Sequence, residues 1–523
     1  MQQWIDAIHG SVPTTISAGV DEAAAAAPAP AAEAAAAAAP SAGAAPSTAK
    51  DAISAELRAR YEAAGQGQVF KYVDNGVLDV AGATELAAQL EGMDLDRIAK
   101  LHKAAMEFDK AAQAGADTGA VEALDSFDSL IDASQESKDA WDAAGMQALA
   151  NGEVALCVLS GGQGTRLGFS GPKGMYDIKL PSGKTLFQLY AERLFRLQQL
   201  ASKANGGKEV KIPWCIMTSP MNHATTVEFF EENAFWGLDK EHVHFFAQGT
   251  LPCMTEEGQL ILESGSHVGI ASDGNGGIYA ALQNGPLPAL KEQGIKYLHV
   301  YSVDNAICKV ADPTFMGYCI TKGADVGNKV VWKAEPGEKV GVVAKRDGKP
   351  HVIEYSEISA EMAAQADGNG KLVFGAGNIC NHFYTVDFLE KVTDDALIYH
   401  VARKKIPMAD EKGETYKPTE NTGMKLECFI FDAFPMSTTM AVLEGPRESE
   451  FSPVKNAPGQ GLKDSPDTAR AMISAQHLRW AEAAGATVKQ GDRVFEISPL
   501  QSYAGEDLEQ ILKGQTIDLS GES

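Results

Sequence analysis

The sequence predicts an α/β protein: a doubly wound, mostly parallel sheet, preceded by a helical region and followed by a small C-terminal domain. Three observations predict it. From residue 149 onward, apolar runs of strand length alternate with amphipathic helical stretches. Residues 51–148 carry apolar side chains at i, i+3, i+4 spacing and few strand-like runs. One run, residues 153–159, is apolar and β-branched-rich, as a buried parallel strand must be, and it opens straight into a glycine-rich loop.

Taken in order, residues 1–50 read as a tail. Trp4, Ile5 and Ile8 are isolated apolar side chains, and residues 23–50 are nearly all Ala, Pro, Glu and Ser, with prolines at 28, 30, 40 and 46 interrupting any helix. A disordered tether is expected. Residues 51–148 read as a helical N-terminal domain, with Leu86 and Leu90, and Ile98, Leu101 and Met106, spaced for helix faces. The catalytic domain is expected over 149–455, with strands at 153–159, 212–217, 242–246 and 297–303 and helices at 185–200, 225–235 and 276–290. Residues 456–523 read as a small C-terminal domain with a helix at 465–485 and strand-like runs at 486–488 and 494–497.

The loop is Ser160-Gly-Gly-Gln-Gly-Thr-Arg-Leu-Gly-Phe-Ser-Gly-Pro-Lys173. Its glycines let bare backbone N–H groups approach an anion, and Arg166 and Lys173 add two positive charges. It is not the dinucleotide fingerprint Gly-x-Gly-x-x-Gly, because the third glycine, Gly168, comes one residue late. Nor is Gly183-Lys184-Thr185 the end of a Walker loop, because Ile178 stands where the opening glycine belongs. The pattern suits a nucleotide polyphosphate and is similar to the signature of the nucleotidyltransferases that make nucleoside-diphosphate sugars.

Further motifs follow in order: Leu57-Arg-Ala-Arg-Tyr-Glu-Ala-Ala-Gly-Gln-Gly67 before the loop, then Ser272-Asp-Gly-Asn-Gly-Gly277, Val303-Asp-Asn305, Val352-Ile-Glu-Tyr-Ser-Glu-Ile358, Gly375-Ala-Gly-Asn-Ile379 and Glu450-Phe-Ser-Pro-Val-Lys-Asn456. From about Ala55 onward the chain resembles the eukaryotic-type UDP-N-acetylglucosamine pyrophosphorylase family. The UDP-glucose branch usually carries a Gly-His-Gly-Asp-type segment where this chain has Asp273-Gly-Asn-Gly-Gly277. The resemblance implies a Rossmann-like, GT-A-like nucleotidyltransferase in the cytoplasm, making UDP-N-acetylglucosamine and pyrophosphate from UTP and N-acetylglucosamine 1-phosphate. The sugar-phosphate oxygen, already an anion, attacks the α-phosphorus in line, so positioning and charge neutralisation carry the catalysis.

Residue by residue, the resemblance implies that Arg166, Lys173 and Lys455 act on the phosphates and that Gly161, Gly162, Gln248, Gly274 and Lys425 contact the nucleotide. Gln248 would read the uracil edge, since an amide donates and accepts at once. Asn275, Glu354 and Asn378 would read the sugar. Asp304, expected at a strand's C-terminal end, would hold Mg²⁺, with no second protein ligand assigned. The chain departs from the family at Ser272, where Pro is usual and a slightly looser loop is expected, and at Cys380, where Ala is common. A UDP-glucose or broad-specificity pyrophosphorylase and an inactive sugar-nucleotide-binding regulatory protein stand as alternatives.

Composition excludes other classes. A net charge of −25 repels phosphate backbones, so nucleic acid is not an expected partner. No apolar run has the length of a membrane span, and residues 1–49 lack the Arg or Lys of an organelle presequence. The seven cysteines form no Cys-x-x-Cys pair and read as reduced, buried small hydrophobes. His242-Val-His244 lacks a nearby third ligand and reads as structural. Oligomeric state leaves no mark in the sequence.

Overall fold

The structure, a computed structural model, describes residues 46–113, 119–355, 357–459 and 461–520. The Ala- and Pro-rich stretch up to residue 45 lies outside the described residues. The strand Val154–Leu159 is buried at every position. Side chains alternate across a strand, so Leu156 and Val158 enter the hydrophobic core on one face of the sheet while Ala155, Cys157 and Leu159 enter the core on the other. That double burial is what an apolar run without polar alternation requires.

Around this strand an eleven-stranded mixed sheet is built. Its main path runs Asp128–Ser129, Met440–Glu444, Val326–Trp332, Ala376–Thr385, Tyr297–Ser302, Val154–Leu159, Trp214–Thr218, Val243–Ala247. Neighbours on this path are parallel except at Ala376–Thr385, which is antiparallel to both strands beside it. The antiparallel hairpin Val342–Arg346 and Lys349–Ile353 joins the same sheet through Val342 and Gly377.

The helix Leu186–Ala204 forms where its apolar stripe predicts. Thr185 caps it by accepting from the Gln188 N–H, and Leu186, Tyr190, Leu194 and Leu197 are buried on the sheet. The helix expected at 276–290 is instead a 3₁₀ turn, Asn275–Gly277, and two short helices, Ile278–Gln283 and Leu287–Glu292. Pro286 has no N–H to continue the first helix and sits at the start of the second.

The N-terminal helices Ala55–Ala63, Val80–Glu91 and Leu95–Gln113 are present, but the stretch after them contributes two short strands, Val121–Glu122 and Asp128–Ser129, to the central sheet. These helices share a core with Leu251, Met254, Met424, Leu426 and Cys428. At the C-terminal end the helix Pro466–Ala483 is capped by Ser465, and Thr487–Lys489 pairs in parallel with Thr516–Asp518. Residues 494–497 are not a strand. Their N–H groups are taken by helix side chains: Phe495 donates to Ser474 Oγ at 2.8 Å and Ile497 to His477 Nδ1 at 2.9 Å. Six of the cysteines are buried, Cys380 is half-buried, and all are free thiols. No helix among the described residues is long and apolar enough to cross a membrane.

Candidate active site

The glycine-rich loop leaves the C-terminal end of Val154–Leu159 and is pinned at its start. The Ser160 N–H and hydroxyl both donate to the Met217 carbonyl, at 2.8 and 2.9 Å, and Asn222 Nδ2 donates to the Ser160 carbonyl at 3.0 Å. The loop then folds on itself, with the Gly164 N–H on the Gly171 carbonyl (2.9 Å) and the Lys173 N–H on the Gly162 carbonyl (3.1 Å). Gly161 lies against the Gln248 amide: a Cβ there would stand 2.3 Å from Gln248 Oε1 and push that amide aside. Arg166 is exposed, with no hydrogen bond or ion pair to it among the described residues. Lys173 is half-buried, its Nζ 3.9 Å from Asp304 Oδ2.

Gln248 Nε2 donates to Ser272 Oγ and, at 3.3 Å, to the Gly274 carbonyl. Ser272 Oγ also accepts the Gly274 N–H at 3.2 Å. The serine therefore ties this loop down instead of loosening it, because its hydroxyl supplies an acceptor that proline lacks. Gly274, at φ 94°, passes so close to the 423–428 strand that a Cβ would lie 2.1 Å from the Cys428 carbonyl oxygen. Asn275 Oδ1 accepts the Ile430 N–H at 3.0 Å, which leaves its Nδ2 as the group available to a ligand.

Asp304 stands just beyond Tyr297–Ser302, at the C-terminal end of the sheet, and accepts from Ser302 Oγ at 2.8 Å. Asn305 couples it to the segment that carries Lys455. Its Nδ2 donates to the Glu450 carbonyl (2.8 Å), its Oδ1 accepts the Ser452 N–H (2.9 Å), and the Val454 N–H donates to the Asp304 carbonyl (2.9 Å). Beneath this junction lies a largely buried quartet of charges. Lys329 Nζ hydrogen-bonds Asp312 and Glu450 (3.0 Å to Glu450), and the partly exposed Lys309 Nζ forms an ion pair with Glu450 (2.7 Å) and lies 3.6 Å from Asp312. Burial opposes the charges of Asp312 and the two lysines, but the opposite charges outweigh it: the Asp312 carboxyl is held below its ordinary range and both lysines above theirs.

Glu354 and Asn378 meet at Gly341, whose carbonyl accepts the Asn378 N–H (2.8 Å) and whose Cα faces Glu354, 3.0 Å separating an added Cβ from Glu354 Oε1. Burial raises the Glu354 pKa, and Lys455 is among the charges that act on it. Cys380 follows in a left-handed bulge (φ 53°), its N–H on Asn378 Oδ1 at 3.1 Å. Burial pushes its thiol up to about 12, with Asp304 and Lys455 as electrostatic neighbours, so it is an inert wall of the site. The fold thus brings Lys173 to Asp304, Asp304 and Lys455 to Cys380, and Glu354 and Asn378 together at Gly341, while Gln248 links Gly161 to Gly274. Lys425 lies opposite Ala402 in a two-stranded sheet, on the same strand whose Cys428 abuts Gly274, with the Cys253 thiol as its electrostatic neighbour.

Residues 104–511 match the model of the family described as UTP–glucose-1-phosphate uridylyltransferase. The chain belongs to this family. It is 45% identical to the UDP-N-acetylglucosamine pyrophosphorylase of Saccharomyces cerevisiae, over 76% of this chain and 83% of that one. It is 43% identical to the UDP-N-acetylhexosamine pyrophosphorylase-like protein 1 of Xenopus tropicalis, over 90% of this chain and 96% of that one. The crystal structure of the uridine diphosphate N-acetylglucosamine pyrophosphorylase from Trypanosoma brucei superposes with a TM-score of 0.74 at 31% identity, covering 89% of this chain and 97% of that one. Within the family the chain falls in the UDP-N-acetylglucosamine branch.

On this uridylyltransferase-family fold the sequence reading missed an aromatic wall. Phe429 and Phe431 stack at 5.1 Å, His400 packs on Phe429 at 4.8 Å, and His400 Nε2 lies 3.2 Å from Asp432 Oδ1. Both His400 and Asp432 act on the charge of Glu354. The alternation Phe429-Ile-Phe431 beside the Asn275 anchor at Ile430 was the available signal.

Asp273 was also passed over. It is buried, its Oδ1 has no hydrogen-bond partner among the described residues, and burial raises its pKa to about 6. An acid with a raised folded-state pKa binds protons more readily folded than unfolded, so stability falls as pH rises from about 4 through about 6. Asp273→Asn removes this cost. The variant should be more stable than the parent at pH 7.5, by roughly 1–3 kcal/mol, and lose that advantage near pH 4. Thermal melts of both proteins across pH check it; an equal offset at both pH values would assign the effect to something other than the Asp273 charge.

Proposed function

We propose that this chain is a uridylyltransferase that converts UTP and N-acetylglucosamine 1-phosphate to UDP-N-acetylglucosamine and pyrophosphate. The observation that carries the reading is the junction of Asp304, Lys173 and the Lys455 segment, locked by Asn305 and facing Glu354 and Asn378. Two anions must meet there, and cations from two separate segments stand ready to hold them. Lys455 neutralises the transferred phosphate, Lys173 and Arg166 take the charge that grows on the departing pyrophosphate, and Gln248 and the backbone of Gly161, Gly162 and Gly274 hold the nucleotide.

The donor set fits Mg²⁺, which takes one or two carboxylates and completes its shell with water and substrate phosphates. Asp304 is the carboxylate that would hold it, and the bound ion would supply further charge neutralisation on the phosphates. The ammonium of Lys173 at 3.9 Å keeps that carboxylate oriented toward the phosphate side of the site.

Asn275 and Glu354 accept or donate to the sugar hydroxyls, and Asn378 offers Nδ2 to the N-acetyl carbonyl, since its Oδ1 is spent on Cys380. Asn378→Ala should raise KM for N-acetylglucosamine 1-phosphate about tenfold, in line with loss of one hydrogen bond, and change KM for glucose 1-phosphate little. Equal effects on both sugars would argue against an N-acetyl contact. The whole reading is tested by pyrophosphate release from UTP with N-acetylglucosamine, N-acetylgalactosamine and glucose 1-phosphates, each with and without Mg²⁺. Absence of turnover with every sugar phosphate, alongside retained UDP-N-acetylglucosamine binding, would make the chain a sugar-nucleotide-binding protein instead.

A further inference from the structure

We infer that Glu357, anchored by Arg346, is a positioning residue that sets both the place and the charge of Glu354. The inference rests on the reading of Glu354 as a sugar contact. The Glu357 side chain folds back on the backbone of Glu354: its Oε2 accepts the Glu354 N–H at 2.9 Å, while its own N–H donates to the Glu354 carbonyl at 2.9 Å. Its other oxygen, Oε1, accepts from Arg346 at 3.1 Å. Arg346 ends the strand Val342–Arg346, whose hairpin partner Lys349–Ile353 leads directly into Glu354. One carboxylate therefore clamps the backbone of the proposed sugar contact to the guanidinium of the hairpin that delivers it.

The clamp has an electrostatic consequence. Burial comes first in raising the Glu354 pKa, and the Glu357 charge comes next. Asp432 pushes the same way, while His400 and Lys455 oppose it. A carboxylate that accepts from sugar hydroxyls must be ionised to use all its lone pairs. Sugar recognition is then full above the raised Glu354 pKa and lost as pH falls through it. Glu357 moves that loss to higher pH than the sugar contact alone would show.

The test is calorimetric titration of UDP-N-acetylglucosamine and of UDP into the full chain between pH 5 and 8. Four proteins are compared: wild type, Glu354→Gln, Glu357→Ala and Glu357→Gln. The quantity read is the ratio of the two affinities, which isolates the sugar. Glu357→Ala should reduce the ratio about tenfold at pH 7.5 with UDP binding unchanged, which also shows that the variant is folded. Glu357→Gln keeps an oxygen for the Glu354 N–H and should keep most of the ratio at pH 7.5, but its acid loss should move to lower pH. A wild-type ratio in Glu357→Ala, or an unshifted pH profile in Glu357→Gln, overturns the inference. If Glu354→Gln itself leaves the ratio and its pH dependence intact, the reading of Glu354 as a sugar contact fails first, and the positioning role falls with it.

Discussion

Arg166→Ala lowers kcat about a hundredfold or more, while KM for the sugar phosphate changes little. Negative charge builds on pyrophosphate as the P–O bond breaks, so a cation on the leaving group counts more in the transition state than in the ground state. Arg166 suits this role because it is exposed on the loop and makes no hydrogen bond or ion pair among the described residues. Its removal therefore leaves the melting temperature unchanged, which separates a chemical effect from a folding one. Arg166→Lys should recover only part of the rate, since it keeps the charge but loses the planar fork. Steady-state kinetics with UTP and N-acetylglucosamine 1-phosphate, read beside a melt, check all three statements. Full kcat with weakened UTP binding would reduce the loop to a nucleotide cradle.

Lys329→Met should cost about 3–5 kcal/mol of stability. The side chain is fully buried and holds Asp312 and Glu450 together. Without it two buried carboxylates share Lys309 alone, in a setting where an uncompensated charge is expensive. Glu450 also lies at the head of the segment that Asn305 ties to Asp304, so activity should fall along with the melting temperature. The Asp312 carboxyl is held below its ordinary range, so its contribution is complete at neutral pH and is lost only in strong acid. Denaturant titration of Lys329→Met at pH 7.5 checks the loss; a wild-type midpoint would show that the quartet can rearrange around a missing cation.

The parts of this protein legible in its sequence are those with local causes. The run Val154–Leu159 needs burial on both faces whatever surrounds it, and it is found so. Thr185 and the stripe Leu186, Tyr190, Leu194, Leu197 start and orient a helix through contacts within one or two turns. The glycine-rich loop likewise announces itself by its glycines and two bases, and at Gly161 the Gln248 amide packs where a Cβ would stand. Pro286 carried a local signal too, and its break in the 276–290 stretch was readable from the missing N–H alone.

What the tertiary structure decided were partnerships between residues far apart in the chain. Ala376–Thr385 is a strand that was not expected from the sequence, and nothing in its residues says that it runs antiparallel between two strands of a mostly parallel set. Residues 494–497 look like a strand until Ser474 and His477 claim their N–H groups. Ser272 reads as a substitution for proline until its hydroxyl meets the Gln248 amide. Nothing in the sequence pairs Lys309, Asp312, Lys329 and Glu450, yet together they form the largely buried floor beneath Asp304 and the Lys455 segment. Hydrophobic periodicity and capping depend on near neighbours and can be read from the sequence. The pairing of polar groups depends on which ones the fold removes from water together, and only the folded chain settles that.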